Sequence, residues 1–128
     1  MNLSLGGLVF LVALASGCSK PAPPAEPTFA SLTGRWVRPD GGYILHVESV
    51  APDGRAKVGY YNPRPIHVAA ARAVLDGGTV KLFVELRDVG YPGCTYQLTY
   101  DRSPDRLWGV YFQAAQQQRY DVIFQRAP

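Results

Sequence analysis

From Leu32 onward the sequence alternates between the two faces of a pleated strand. In "TVKLFVELRD", Val80, Leu82, Val84 and Leu86 take every second position, with Lys81, Phe83, Glu85 and Arg87 between them. Successive strand side chains point to opposite faces, so this segment has one dry face and one wet face. "TYQLTY" repeats the pattern, with Tyr96, Leu98 and Tyr100 against Thr95, Gln97 and Thr99. Runs of this kind recur about every 12 residues with turn chemistry between them. They predict eight strands, at 32–38, 43–51, 55–62, 66–75, 79–88, 94–101, 106–113 and 118–126. Only "HVAAARAVLDGG" is ambiguous, because its alanines favour helix, and its neighbours argue for a strand. Eight sequential strands with short connections can close on themselves and so remove their edges. The expected fold is all-β, an eight-stranded antiparallel up-and-down meander barrel over residues 31–128.

The residues ahead of that domain carry an address. The apolar run from Leu3 to Gly17 is 15 residues long, short of the roughly 20 that a membrane-spanning helix needs. It ends in small residues, as a secretory signal does. Its close, "LASGC", resembles the lipobox of bacterial lipoproteins. The resemblance implies cleavage before Cys18, removal of residues 1–17, and acylation of Cys18 as the membrane anchor, palmitate being the type of chain. Ser19, next to that cysteine, implies the outer membrane, with the domain facing the periplasm. An ordinary signal peptide or a buried N-terminal strand are the alternatives. Residues 18–30 then form a tether, because "SKPAPPAEPTFA" holds four prolines and little that packs. Where polyproline-like, such a segment reaches about 3.1 Å per residue.

Hydrophobic residues make up 47% of the chain and charged residues 18%, a globular rather than a disordered mixture. The net charge of +3 comes from basic residues scattered singly. Nucleic-acid binding needs a clustered basic footprint, so that class is set aside. With Cys18 acylated, Cys94 has no intrachain partner. It reads as a buried thiol packing as a small hydrophobe, or as an intermolecular disulfide or reactive thiol.

"SLTGRW", Ser31 to Trp36, resembles the Gly-x-Trp first strand of the lipocalin and avidin barrels. The following "GGYILHVESVAPDGRAKVGYY" is similar to an avidin second strand, turn and third strand. The resemblance covers roughly residues 31–61 and implies a barrel of that kind. Avidins carry an asparagine that contacts biotin two places after the tryptophan; Arg38 stands there, and only Trp36 and Trp108 are present where avidin pockets use several tryptophans. The resemblance thus implies the barrel and not biotin. "NPRPIHV" and "ELRDVGYPG" also resemble segments of small bacterial lipoproteins to which no function attaches.

Connections in a meander alternate between two ends. "PDG", "LDGG" and "RSPD" share the end where the first strand begins and are generic tight turns. "RPDGG", "YNPRPI", "DVGYPGC" and "QAAQQQR" share the other end, away from the tether. Binding residues concentrate on loops held by a rigid scaffold, so the candidate ligand contacts are Tyr61, Asn62, Arg64, Asp88 and Tyr91. Arg64, between two prolines, suits a carboxylate or phosphate, and Tyr61 and Tyr91 are flat contacts. The bland readings are a stiff corner with a solvated Arg64 and a wide turn whose Tyr91 packs over the barrel mouth. Tyr43, Tyr60, Tyr96, Tyr100, Tyr111 and Tyr120 fall in the inward register, where six rings either fill the barrel or line a small pocket. Phe83, Trp108, Val110, Phe112 and Ile123 fall in the outward register. Phe83, Trp108 and Phe112 form a candidate partner face, unless the tether folds back and Phe29 covers it.

No enzyme, cofactor or metal is expected. His46 and His67 are isolated, and Ser31, Ser49 and Ser103 lie in no nucleophile elbow. The expected function is an exported, lipid-anchored binding module that takes a small molecule or an envelope component at the loop end. The alternative is an interaction protein with a filled core, docking a protein partner or a second copy through its outer aromatic face.

Overall fold

The computed structural model describes residues 28–128, together with Gly6. Cys18, the apolar run and most of the tether lie outside the described residues.

A 3-10 turn, Phe29–Leu32, leads into nine strands: β1 Gly34–Val37, β2 Ile44–Val50, β3 Ala56–Tyr61, β4 Pro65–Ile66, β5 Val68–Asp76, β6 Thr79–Asp88, β7 Tyr91–Asp101, β8 Arg106–Gln113 and β9 Gln118–Arg126. They make one sheet in the order β4-β3-β2-β1-β9-β8-β7-β6-β5. Every neighbouring pair is antiparallel, and the first long strand pairs with the last through Trp36↔Arg126 and Val37↔Gln125. The two outer strands of that order, β4 and β5, follow one another in the chain. β3 and β5 also meet at the Arg55↔Arg72 bridge, and Ala73 N–H donates to Gly54 O at 2.7 Å. The protein is therefore an all-β, nearly closed up-and-down barrel.

Nine strands replace the expected eight because the fourth breaks at His67. The chain pairs with β3 before the break and with β6 after it. At the corner, the Asp88 carboxylate accepts His67 N–H at 2.8 Å and His67 O accepts Arg87 N–H at 3.0 Å. A second correction concerns "DVGYPGC", which is not a long loop. Asp88 pairs directly with Tyr91 across Val89-Gly90, Arg87 pairs with Pro92, and a bulge opposite Leu86/Arg87 absorbs Gly93. Gly90 and Gly93 both have φ of 83°, a conformation that glycine adopts without a Cβ penalty.

The dry faces meet inside. Trp36, Leu45, Val47, Tyr60, Leu82, Val84, Leu86, Tyr96, Leu98, Leu107 and Phe124 are among the buried core. The end beside the 3-10 turn is plugged. Leu32 is fully buried, and Phe29 is half-buried and packs against the core. Trp36 Nε1–H donates to Leu32 O at 2.9 Å. The Arg126 guanidinium lies 4.2 Å over the Trp36 ring and donates to Ser31 O at 2.7 Å and Thr33 O at 2.9 Å. Asp105 accepts from Arg126 Nε at 2.7 Å and from the Tyr100 hydroxyl at 2.8 Å. One charge thus ties the 3-10 turn, β1, β9 and the β7–β8 turn together.

Candidate functional site

The opposite end opens. β1 delivers Trp36 inward, and its parity carries Arg38, two residues on, to the same interior face. Arg38 is 8% exposed and is the one buried charged residue among the described residues. A buried charge has to be paired and hydrogen-bonded. Asp40, on the following turn, accepts from Nε at 2.9 Å and from Nη2 at 2.7 Å, a bidentate pair. Nη1 donates to the Tyr96 hydroxyl at 2.8 Å, and that hydroxyl lies 2.9 Å from the Tyr60 hydroxyl. The Tyr43 ring stacks under the guanidinium, 4.4 Å from centroid to Cζ.

The electrostatics follow from these contacts. Burial pushes the Arg38 pKa down, but Asp40 and Tyr96 outweigh it and hold the guanidinium charged above its ordinary value. The same bond from Arg38 holds the Asp40 carboxyl below the usual range. Burial pushes the phenols of Tyr60, Tyr96 and Tyr111 up, so they stay protonated donors.

Around this pair the tyrosines form an arc. Tyr43 stacks parallel to Tyr60 at 6.3 Å, Tyr60 meets Tyr96 at 5.6 Å, Tyr96 meets Tyr111 at 4.6 Å, and Tyr111 stacks on Tyr120 at 6.4 Å. Tyr91 stands edge-on to Tyr60 at 6.2 Å. Tyr43, Tyr60, Tyr91, Tyr111 and Tyr120, with Arg38, Gly90, Gln113 and Gln116, line a recess of about 490 Å³ that opens to solvent at the loop end. The inward tyrosines thus do both things expected of them. Tyr60, Tyr96 and Tyr111 fill the upper barrel, Tyr43 and Tyr100 are half-buried, and Tyr120 sits exposed at the rim.

Of the expected contacts, Tyr91 lines the recess, and Asn62 stands behind it, donating Nδ2–H to the Tyr91 hydroxyl at 2.6 Å. Tyr61, Arg64 and Asp88 are not among the lining residues. Tyr61 has the outward parity and packs over Gly59. Arg64 is exposed at the tip of a tight turn closed by Asn62 N–H to Arg64 O at 2.9 Å. Asp88 caps its own hairpin and the His67 corner, and these backbone donors hold its carboxyl below the usual range. Arg38, which sequence reasoning noted only in passing, is the central residue instead.

A recess of about 600 Å³ lies outside the plugged end, lined by Thr28, Ser31, Thr79, Tyr100, Asp101 and Trp108 among others. Its Asp101 is already paired with Arg106, and its one buried lining residue is Val80. Its polar lining residues are half-buried or exposed, whereas the mouth holds a buried charge.

On the outer wall, Phe83, Trp108 and Phe112 do face outward. Phe83 and Phe112 are half-buried and capped by Arg72 at 5.4 Å and Arg119 at 5.6 Å. Trp108, 45% exposed, stands beside Ile123, 42% exposed, with shallow grooves of about 470 and 420 Å³ on either side. Cys94 is buried, and its thiol donates to Gln113 Oε1 at 3.3 Å. Among the described residues, no group of three His, Cys, Asp or Glu side chains is placed to hold a metal ion. No family model, curated protein or solved structure matches the chain.

Proposed function

We propose that this protein is an exported, lipid-anchored binding module that takes a small ligand at its open mouth. One observation carries the reading: the only buried charge among the described residues, Arg38, lines a recess walled by stacked tyrosines. A barrel needs no internal cation to be stable, and burying one is costly. Ligand sites, in contrast, combine an aromatic wall with a few fixed polar groups. The plugged end is the one the tether joins, so an anchor at Cys18 leaves the mouth pointing away from the outer membrane, toward the periplasm. Rings supply flat contact, and Arg38, Gln113 and Gln116 supply orientation. The activity is binding without chemistry, and no cofactor is required.

The test is chemical-shift mapping of the protein against small-molecule fractions from a bacterial envelope. Shifts confined to Tyr43, Tyr91, Tyr111, Tyr120 and Arg38 support the reading. Shifts confined to Trp108 and Ile123 support the second one, docking of a protein partner or a second copy on the outer wall, which the exposure of those two adjacent residues favours. The anchor has its own test: Cys18→Ala releases the domain from the membrane or leaves the chain unprocessed, whereas unchanged acylation and fractionation overturn it.

A further inference from the structure

The hydrogen-bonding capacity left over at the mouth leans toward donors. A guanidinium has five N–H groups. Three of Arg38's are engaged, two by Asp40 and one by Tyr96, which leaves one on each terminal nitrogen. Gln113 spends its carbonyl oxygen on Cys94 and on Ala115 N–H at 2.9 Å. The Tyr120 hydroxyl lies 3.2 Å from Gln116 Oε1 and 2.7 Å from Gln118 Oε1, and its single proton goes to the shorter contact, Gln118. Neither glutamine amide nitrogen donates a hydrogen bond among the described residues. Arg38 and the two amide nitrogens are thus lining donors without acceptors, beside tyrosine hydroxyls that both donate and accept.

Asp40 shows which acceptor fits best. Its carboxylate sits on the Nε/Nη2 edge of Arg38 as a bound carboxylate would. Yet Asp40 is poorly fastened. Its side chain is 56% exposed, against 10% for that of Arg38. The surrounding turn is closed by Gly41 N–H and Gly42 N–H to Arg38 O and by Arg38 N–H to Tyr43 O, and none of these bonds uses Asp40. Rotating the Asp40 side chain away breaks no strand pairing. The cation stays behind, held by Tyr96 and the Tyr43 ring.

We propose that the ligand of the mouth is a small molecule bearing a carboxylate on a flat ring, and that its carboxylate displaces Asp40 from Arg38, so Asp40 is a built-in competitor. This rests on the reading of the mouth as a ligand site. The ring lies against Tyr43, Tyr91 and Tyr111, and the glutamine amides donate to its remaining oxygens. An internal competitor lowers apparent affinity by the fraction of time it occupies the site, so removing its charge raises affinity for anions only.

The experiment uses the full-length chain with two probes, benzoate and its neutral counterpart benzamide, read by side-chain NMR of Arg38 Nε–H and the tyrosine rings. Asp40→Asn, which keeps the shape of the turn, binds benzoate at least about tenfold more tightly than wild type and leaves benzamide unchanged. Equal or weaker benzoate binding by Asp40→Asn, with the recess still shifting, overturns the competition and leaves the mouth as a binding site. No shift of any recess tyrosine by either probe up to about 10 mM, a range that captures weak fragment binding, overturns the competition and the site together. Should Asp40→Asn fail to fold, wild type decides alone. Benzoate then shifts the Asp40 carboxylate carbon and Arg38 Nε–H in step, and binding that moves neither overturns the proposal.

Discussion

A guanidinium keeps its charge at every accessible pH, so the surroundings of Arg38 must hold that charge. Tyr96 is central to the task, because its oxygen accepts from Arg38 while its ring supports Tyr60, Tyr111 and Phe124. Tyr96→Phe keeps the ring and strands two buried polar groups, at a cost of about 1–3 kcal/mol, seen as a lower urea midpoint with an unchanged slope. The phenols give a second prediction. Burial raises the folded pKa of Tyr60, Tyr96, Tyr100 and Tyr111. Their contribution to stability is complete below the unfolded value of about 10 and is lost as pH rises through the folded values. Absorbance titration shows Tyr60 and Tyr111, the most strongly raised of the four, ionising only together with alkaline unfolding. Arg38 was half legible in the sequence. Its parity with Trp36 already pointed it inward, but its buried hydrogen-bond partner Tyr96 lies 58 residues away, and nothing local announces that meeting.

Strand existence was legible because alternation is a local property, whereas partner changes are not. The bounds of β6, β8 and β9 agree with the expected ones to the residue. The β4/β5 break turns on which neighbour each half of that strand finds, and a run of alanines carries no mark of it. The β6–β7 hairpin is hidden because Pro92 and Gly93 read as loop residues, although Pro92 pairs with Arg87 and a bulge accommodates Gly93. Gly109 in β8 is a similar case. It occupies an inward position between Leu107 and Tyr111, and a Cβ there would run into the Gln97 carbonyl of β7. Gly109→Ala forces the two strands apart, costing about 1–3 kcal/mol as overpacking does. Thermal unfolding reads this as a lower midpoint, and amide exchange speeds up along β7 and β8.

The whole molecule is a cup, plugged where the described chain begins and open at the far rim. The plug depends on Arg126, whose bond to Asp105 holds that carboxyl below its ordinary value. A lowered folded pKa contributes stability that is present above the unfolded value, about 3.9, and is lost as pH falls through the folded one. Wild type therefore loses stability as pH drops below about 4. Arg126→Met starts from a lower plateau and shows a shallower acid fall in its urea midpoint. The polarity of the cup was readable from the contrast between plain and elaborate loops, and the inward tyrosines from strand parity, but the meeting of Arg38 with them was not, since it joins residues far apart in the chain.

The most direct measurement is native mass spectrometry of the protein extracted gently from its own membranes, wild type beside Arg38→Gln. A bound small molecule on wild type that is missing from a folded Arg38→Gln is the predicted result. A small molecule kept equally by both, or a wild-type apo protein recovered only with a partner removed by Trp108→Ser, would contradict the mouth as the working end.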